Sequence, residues 1–211
     1  MPAPIHVVTC LSNFGRFNSR YALYERWLEE MLRSDFESIT TVEVLFDQQV
    51  TFGDLALDRA KERSIEARWP RVNHIVLRTR DVLWLKERAL NLAVRHLPSD
   101  WQHVAWIDAD TSFERPNIAA ETVAGLQTYD VVQMFEQAQD MDPEHRPLKG
   151  SPWRPSFMRV YLDEQQPDIA NPQVYHPGYG ATGLAWAWRR SAYEAVGGWL
   201  DFGVLGSGDW H

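Results

Sequence analysis

Apolar segments rich in β-branched residues alternate with amphipathic helical segments along residues 5–135, and this alternation constrains the fold more than any other feature. Each apolar segment is short enough for one buried strand, and the segments between them space apolar side chains as a helix does. Strands that alternate with helices predict an α/β fold, a single mostly parallel sheet with helices on both faces. The predicted strands are 5–11, 38–46, 74–78, 104–110, 130–135 and 183–189, and the predicted helices are 19–32, 52–69, 84–97, 116–126 and 191–196.

The composition predicts one soluble domain that acts on small or neutral partners. The chain has 211 residues, of which 45% are hydrophobic, enough for one well-packed domain. Its formal net charge of −8 argues against a broad basic surface for duplex DNA. A single cysteine, Cys10, excludes an intrachain disulfide, and the sequence shows no signal peptide or membrane-spanning apolar run. We therefore expect a cytoplasmic protein without an integral membrane segment.

The apolar segment 104–110 ends in two aspartates, Asp108 and Asp110, separated by one alanine. Side chains two residues apart on a strand point to the same face, so the two carboxylates are predicted to converge. Neighbouring carboxylates repel each other unless a cation lies between them, and Mg²⁺ or Mn²⁺ suits such an oxygen site. The alternative is ordinary turn chemistry, in which both side chains accept local N–H groups.

The alternation stops at residues 136–177, which contain seven prolines. A loop of this length is either a functional flap over an active site or a surface insertion. Near the end of the chain, glycines surround Ser207 and Asp209 and allow the backbone to approach a ligand closely. Asp209 and His211 lie two residues apart, so an extended segment would turn both towards one pocket.

Three separated segments together resemble the GT-A fold glycosyltransferases, the nucleotide-sugar-dependent class that includes the GT2-like enzymes and a bacterial and phage group. Residues 84–91 resemble the helix before the metal motif, residues 106–110 resemble its Asp-x-Asp strand end, and 183–200 with 206–211 resemble the acceptor region. One departure is that Asp209 stands alone where the class carries a Glu-Asp pair. The resemblance implies one GT-A domain over 1–211, with a nucleotide-binding half, 1–135, and an acceptor-side half, 136–211, whose long flexible loop is 136–177.

The same resemblance implies a reaction and a set of metal ligands. A UDP- or GDP-sugar would donate its sugar to a glycan, a lipid carrier, a protein or a modified nucleic-acid base. Asp110 would bind Mn²⁺ or Mg²⁺ directly, while Asp108 would reach the ribose or a metal-bound water. His211 would be a third metal ligand. Asp209 would act as the general base, which implies inversion at the sugar.

Three further residues are candidates for contacts with the donor nucleotide. Lys86 lies in the first turn of the predicted helix 84–97 and is placed to meet the phosphates, while Asn13 and Arg16 lie in the loop after the first strand and are placed to meet the nucleobase or ribose. All three are expected at the carboxyl edge of the sheet, where α/β proteins bind ligands.

Two rival functions remain open at this point. A nucleotidyltransferase of similar fold also uses paired aspartates and Mg²⁺, but it normally carries a glycine-rich basic loop after the first strand, which residues 12–16 match poorly. The other rival is a non-catalytic sugar- or nucleotide-binding module, in which some of the ten tryptophans form sugar platforms.

Overall fold

The computed structural model describes residues 4–52, 71–163 and 180–202. Its strands are β1 (Ile5–Ser12), β2 (Ser38–Phe46), β3 (Val72–Thr79), β4 (His103–Ile107), β5 (Val131–Gln133), β6 (Gln137–Ala138), β7 (Arg154–Pro155) and β8 (Ala185–Arg189). Its helices are α1 (Asn18–Arg33), α2 (Lys86–Val94), α3 (Ile118–Leu126), α4 (Phe157–Leu162) and α5 (Arg190–Val196).

Six strands form the central sheet in the order β3-β2-β1-β4-β8-β5, and β6 pairs with β7 in a separate small sheet. β1 runs parallel to β2 and β4, and β2 runs parallel to β3. β8 runs antiparallel to both β4 and β5. The antiparallel β8 therefore begins next to the end of β4, where Ile107 pairs with Ala185.

Helices cover both faces of the sheet, as the alternation predicts. Neighbouring residues Val7 and Val8 of β1 point to opposite faces, and neither has any exposed surface. Val7 lies in a cluster with α1, whose Trp27 is buried, and α3 contributes to the same cluster. Val8 lies in a second cluster with Leu90 of α2. Burial on both faces explains why the strands are continuous apolar runs, and the predicted α/β class is confirmed.

The structure differs from the sequence prediction at two places. The strand predicted to reach residue 110 ends at Ile107, because the chain turns there to leave the sheet. The predicted loop 136–177 carries β6, β7 and α4 in its described part, and these elements are too short for periodicity to reveal them. The predicted helix 52–69 lies almost wholly outside the described residues. No helix in the described ranges is long and apolar enough to cross a bilayer.

Candidate functional site

The carboxyl ends of β1 and β4 meet at one edge of the sheet, and the two predicted aspartates lie there. Asp108 and Asp110 occupy a turn directly after β4, closed by a hydrogen bond of 3.0 Å from the Thr111 N–H to the Asp108 carbonyl. The Asp108 N–H donates to the carbonyl of Leu184 at 2.8 Å, just before β8. The aspartate turn is thereby tied to the segment that leads into β8.

The Asp108 carboxylate is neutralised by a lysine from another element. Lys86, the first residue of α2, places its Nζ 2.5 Å from Asp108 Oδ1, and both side chains are largely shielded from solvent. Trp106 Nε1 donates to the same oxygen at 3.1 Å. The Lys86 ammonium also lies 4.2 Å from the centre of a Trp106 ring, a cation–π contact. Asp108 Oδ1 therefore has two donors that hold it in place.

Asp110 has a different environment from Asp108. Its residue is exposed, yet desolvation by nearby protein atoms raises the pKa of its carboxyl group above the usual value, and the charge of Asp108 raises it further. The charges of Arg20 and Lys86 act in the opposite direction. Within the described residues, no side chain forms an ion pair with Asp110. The negative charge at this turn is thus only partly balanced by the chain itself.

This donor set fits a divalent cation that also binds a phosphate. Ions such as Mg²⁺ are commonly held by one or two carboxylates, with substrate phosphates and water completing the coordination. A cation beside Asp110 and Asp108 would relieve the repulsion that raises the pKa of Asp110. The described residues contain no group of three or more His, Cys, Asp or Glu side chains arranged to hold a metal. The predicted ligand His211 and the predicted base Asp209 both lie outside the described residues.

Arg20 contributes positive charge to the aspartate turn, and the sequence does not single it out. It lies in the first turn of α1, and its positive charge lowers the pKa of both Asp110 and Cys10. Its sequence context resembles that of any solvated helix arginine, so only the fold places it at the aspartate turn. Desolvation raises the pKa of the Cys10 thiol to about 12, which disfavours its thiolate form.

The loop after β1 holds the other two predicted nucleotide contacts. The buried Asn13 amide donates from Nδ2 to the Phe17 carbonyl at 2.9 Å, and Asn13 Oδ1 accepts from the Phe17 N–H at 2.9 Å. Asn13 therefore closes the loop that leads into α1. Arg16 is exposed and has a left-handed backbone, with φ of 54°. A contact of either residue with nucleobase or ribose stays a prediction, and Arg16 has the more available side chain.

A buried amide anchors the segment that follows α5. Asn91 of α2 donates from Nδ2 to the Trp199 carbonyl at 2.7 Å, and its Oδ1 accepts from the Trp199 N–H at 3.0 Å and from the Tyr193 hydroxyl at 2.7 Å. The Trp199 ring meets the Trp106 ring edge to face, with centroids 6.4 Å apart. The chain leaving α5 is therefore fixed beside Trp106, which in turn donates to Asp108.

The raised pKa of Asp110 predicts a pH-dependent gain in stability for Asp110→Asn. At a pH below the ordinary value of 3.8, the folded and unfolded chains both hold the proton, and Asp110 imposes no penalty. As the pH rises through the raised folded pKa, the folded protein must hold a disfavoured charge. We expect a higher Tm for Asp110→Asn at pH 7, with the difference shrinking towards pH 4.

Thermal unfolding from pH 4 to pH 7 measures this difference. The exposed Asp35, between α1 and β2 at the opposite edge of the sheet, gives the matched control Asp35→Asn. An Asp110→Asn variant that is less stable than the native protein at pH 7 would contradict the electrostatic interpretation of the turn.

Comparison with known proteins gives a similarity of structure only. No protein-family model matches the sequence, and no curated protein gives a significant match. A 4-diphosphocytidyl-2C-methyl-D-erythritol synthase from Anaerococcus prevotii is similar with a TM-score of 0.44 and 12% identity, over 92% of this chain and 75% of the other. Mouse xyloside xylosyltransferase 1 is similar with a TM-score of 0.40 and 11% identity, over 91% and 68%.

A third similar structure is a UDP-glucose pyrophosphorylase in complex with UDP-glucose, with a TM-score of 0.34 and 16% identity over 60% of this chain and 54% of the other. These identities and TM-scores are low. They assign no activity, so a function has to rest on the residues of this chain.

Proposed function

We propose that the protein is a divalent-metal-dependent glycosyltransferase that moves a sugar from a UDP- or GDP-sugar to an acceptor nucleophile, with inversion. The observation that supports it most is the turn of Asp108 and Asp110 at the carboxyl edge of the sheet, with Lys86 against it. This is the edge at which α/β proteins bind nucleotides. The acceptor classes to screen are glycans, lipid carriers, proteins and modified nucleic-acid bases.

The charges around the turn suit the departure of a nucleoside diphosphate. When the bond from the anomeric carbon to the diphosphate breaks, negative charge builds up on the phosphate oxygens. A divalent ion held by Asp110 and Asp108 would neutralise part of that charge. Among the described residues, the Lys86 ammonium and the Arg20 guanidinium both bring positive charge to this turn, and either would stabilise the charge on the phosphate oxygens.

The acceptor needs a base in a single displacement. In this proposal the acceptor oxygen attacks the anomeric carbon as the diphosphate leaves, and Asp209 takes the proton of the acceptor hydroxyl. Attack opposite to the leaving group inverts the sugar. The role of Asp209, and that of His211 as a further metal ligand, rest on the sequence resemblance.

Calorimetry with UDP, GDP and their sugars, each with Mn²⁺ and with EDTA, tests the proposal. We expect binding of a nucleoside diphosphate that requires Mn²⁺, and slow hydrolysis of one donor into sugar and nucleoside diphosphate. Release of pyrophosphate from a nucleoside triphosphate would indicate a nucleotidyltransferase instead. Binding of a sugar without nucleotide or metal would indicate a binding module.

A further inference from the structure

Lys86 occupies a position that the stability of its own helix does not explain. It is the first residue of α2, and the N-terminus of a helix carries a partial positive charge that disfavours cations. The preceding residue, Leu85, provides no side-chain cap, so that partial charge is not offset by a side-chain hydrogen bond. The favourable partner of Lys86 is Asp108, across the sheet edge. The position of Lys86 is therefore explained by its ion pair with the aspartate turn and not by the stability of α2.

The ion pair and a divalent cation compete for the same carboxylate oxygen. Lys86 Nζ lies 2.5 Å from Asp108 Oδ1, and Trp106 Nε1 approaches that oxygen from 3.1 Å. An ammonium group and a divalent ion beside one oxygen repel each other strongly in a partly desolvated site. A metal ion can use Asp108 fully only after the Lys86 ammonium moves away.

The Lys86 side chain is also able to change its position. Its four-carbon stem is flexible, and its ammonium group binds phosphate as a point charge without a fixed geometry. Its side chain is 18% exposed, so the ammonium group is within reach of an arriving ligand at the sheet edge. The cation–π contact with Trp106 and the ion pair with Asp108 hold the ammonium group in place until a more highly charged anion, such as a diphosphate, binds.

The geometry points to Lys86 as an exchangeable cation. Before the nucleotide binds, the Lys86 ammonium group neutralises Asp108. When the nucleotide binds, the ammonium group moves to the diphosphate, and Asp108 becomes free to bind the divalent ion. This inference rests on the proposed function, because it assigns the order in which nucleotide and metal occupy the same site. It makes Lys86 an inhibitor of metal binding in the absence of nucleotide and a phosphate contact in its presence. Nucleotide and metal then favour each other's binding.

Titration of Mn²⁺ monitored by the EPR signal of the free ion tests the exchange without any turnover. Lys86→Met is expected to bind Mn²⁺ alone at least about fivefold more tightly than the native protein, the lower range of coupling between two sites. The same variant should bind UDP or GDP more weakly at a saturating concentration of Mn²⁺, because it lacks the ammonium group that contacts the diphosphate. These opposite effects distinguish the exchange from general damage to the site, which would weaken both.

Two further variants test whether the gain in Mn²⁺ affinity arises at Asp108. Arg95→Met removes a positive charge from the exposed residue at the other end of α2 and should bind Mn²⁺ as the native protein does. Adding Asp108→Asn to Lys86→Met should cancel the gain, because the gain is assigned to Asp108. Lys86→Gln gives a second neutral side chain should the Met variant fold poorly.

The result that overturns the inference is Mn²⁺ binding by both Lys86 variants that is equal to or weaker than that of the native protein. If the native protein binds nucleotide with Mn²⁺ while the Lys86 variants show no gain, the proposed function stands and the exchange is wrong. If no nucleotide binds but Lys86→Met gains Mn²⁺ affinity that Asp108→Asn cancels, the proposed function fails while competition at Asp108 is confirmed.

Discussion

Asp110→Ala is expected to weaken Mn²⁺-dependent binding of the nucleoside diphosphate by at least about 100-fold and to abolish donor hydrolysis. Loss of a group that merely supports a metal ligand costs about 10–100-fold in affinity, and loss of a ligand should exceed that range. The fold should be unaffected, because Asp110 is exposed and its charge is already disfavoured by the folded protein. A Tm equal to or above that of the native protein is therefore part of the prediction.

Calorimetry with the best nucleotide from the screen, at fixed Mn²⁺, measures the affinity. Asp35→Ala is the matched control, since Asp35 is exposed and lies at the opposite edge of the sheet. It should bind nucleotide as the native protein does. Mn²⁺-dependent binding by Asp110→Ala within about threefold of the native affinity would exclude Asp110 as a ligand, since that loss is below the cost of even a supporting group.

The layered architecture could be predicted from the sequence because it depends on local periodicity. Val7 and Val8 are adjacent in sequence and both fully buried, so a run of such residues indicates a strand covered on both sides. The acidic pair at the end of one strand was visible for the same reason, since Asp108 and Asp110 directly follow an apolar run. Their placement at the sheet edge needed no information beyond the order of strands and helices.

The contacts that give the two aspartates different roles could not be predicted. The sequence marks Lys86 as a candidate phosphate contact but not as a partner of Asp108, because that pairing depends on how α2 packs beside β4. The turn after Ile107 was assigned to the strand because periodicity does not mark where a strand stops. The charge of Arg20 acts on the turn because α1 packs on the face of the sheet opposite to α2. Each of these features depends on tertiary packing, which a local pattern does not contain.

The contact between Asn91 and Trp199 joins residues 108 positions apart, and no sequence pattern revealed it. Asn91 is buried, and its amide satisfies both backbone groups of Trp199 as well as the Tyr193 hydroxyl. Desolvation raises the pKa of the half-buried Tyr193 to about 12, and its hydroxyl donates to Asn91 Oδ1 at 2.7 Å. Gly198 packs beneath this network, where an added Cβ would lie 2.8 Å from Asn91 Oδ1.

We therefore expect Asn91→Leu to lower the free energy of unfolding by at least about 3 kcal/mol. Leucine has a similar size but leaves the Trp199 N–H, the Trp199 carbonyl and the Tyr193 hydroxyl without this partner. Each unsatisfied polar group costs about 1–3 kcal/mol. Tyr193→Phe removes one of the three hydrogen bonds and should cost about 1 kcal/mol. Asn73→Leu, an exposed change on β3, should stay within about 0.5 kcal/mol.

Urea unfolding measures the three free energies and shows whether the slope is conserved. A graded loss, largest for Asn91→Leu and smallest for Asn73→Leu, would establish that the amide fixes the segment after α5 against α2. Since Trp199 packs on Trp106 and Trp106 donates to Asp108, that segment is held at the aspartate turn by the same contacts. Equal stabilities of Asn91→Leu and Asn73→Leu would mean that the segment is held by ring packing alone.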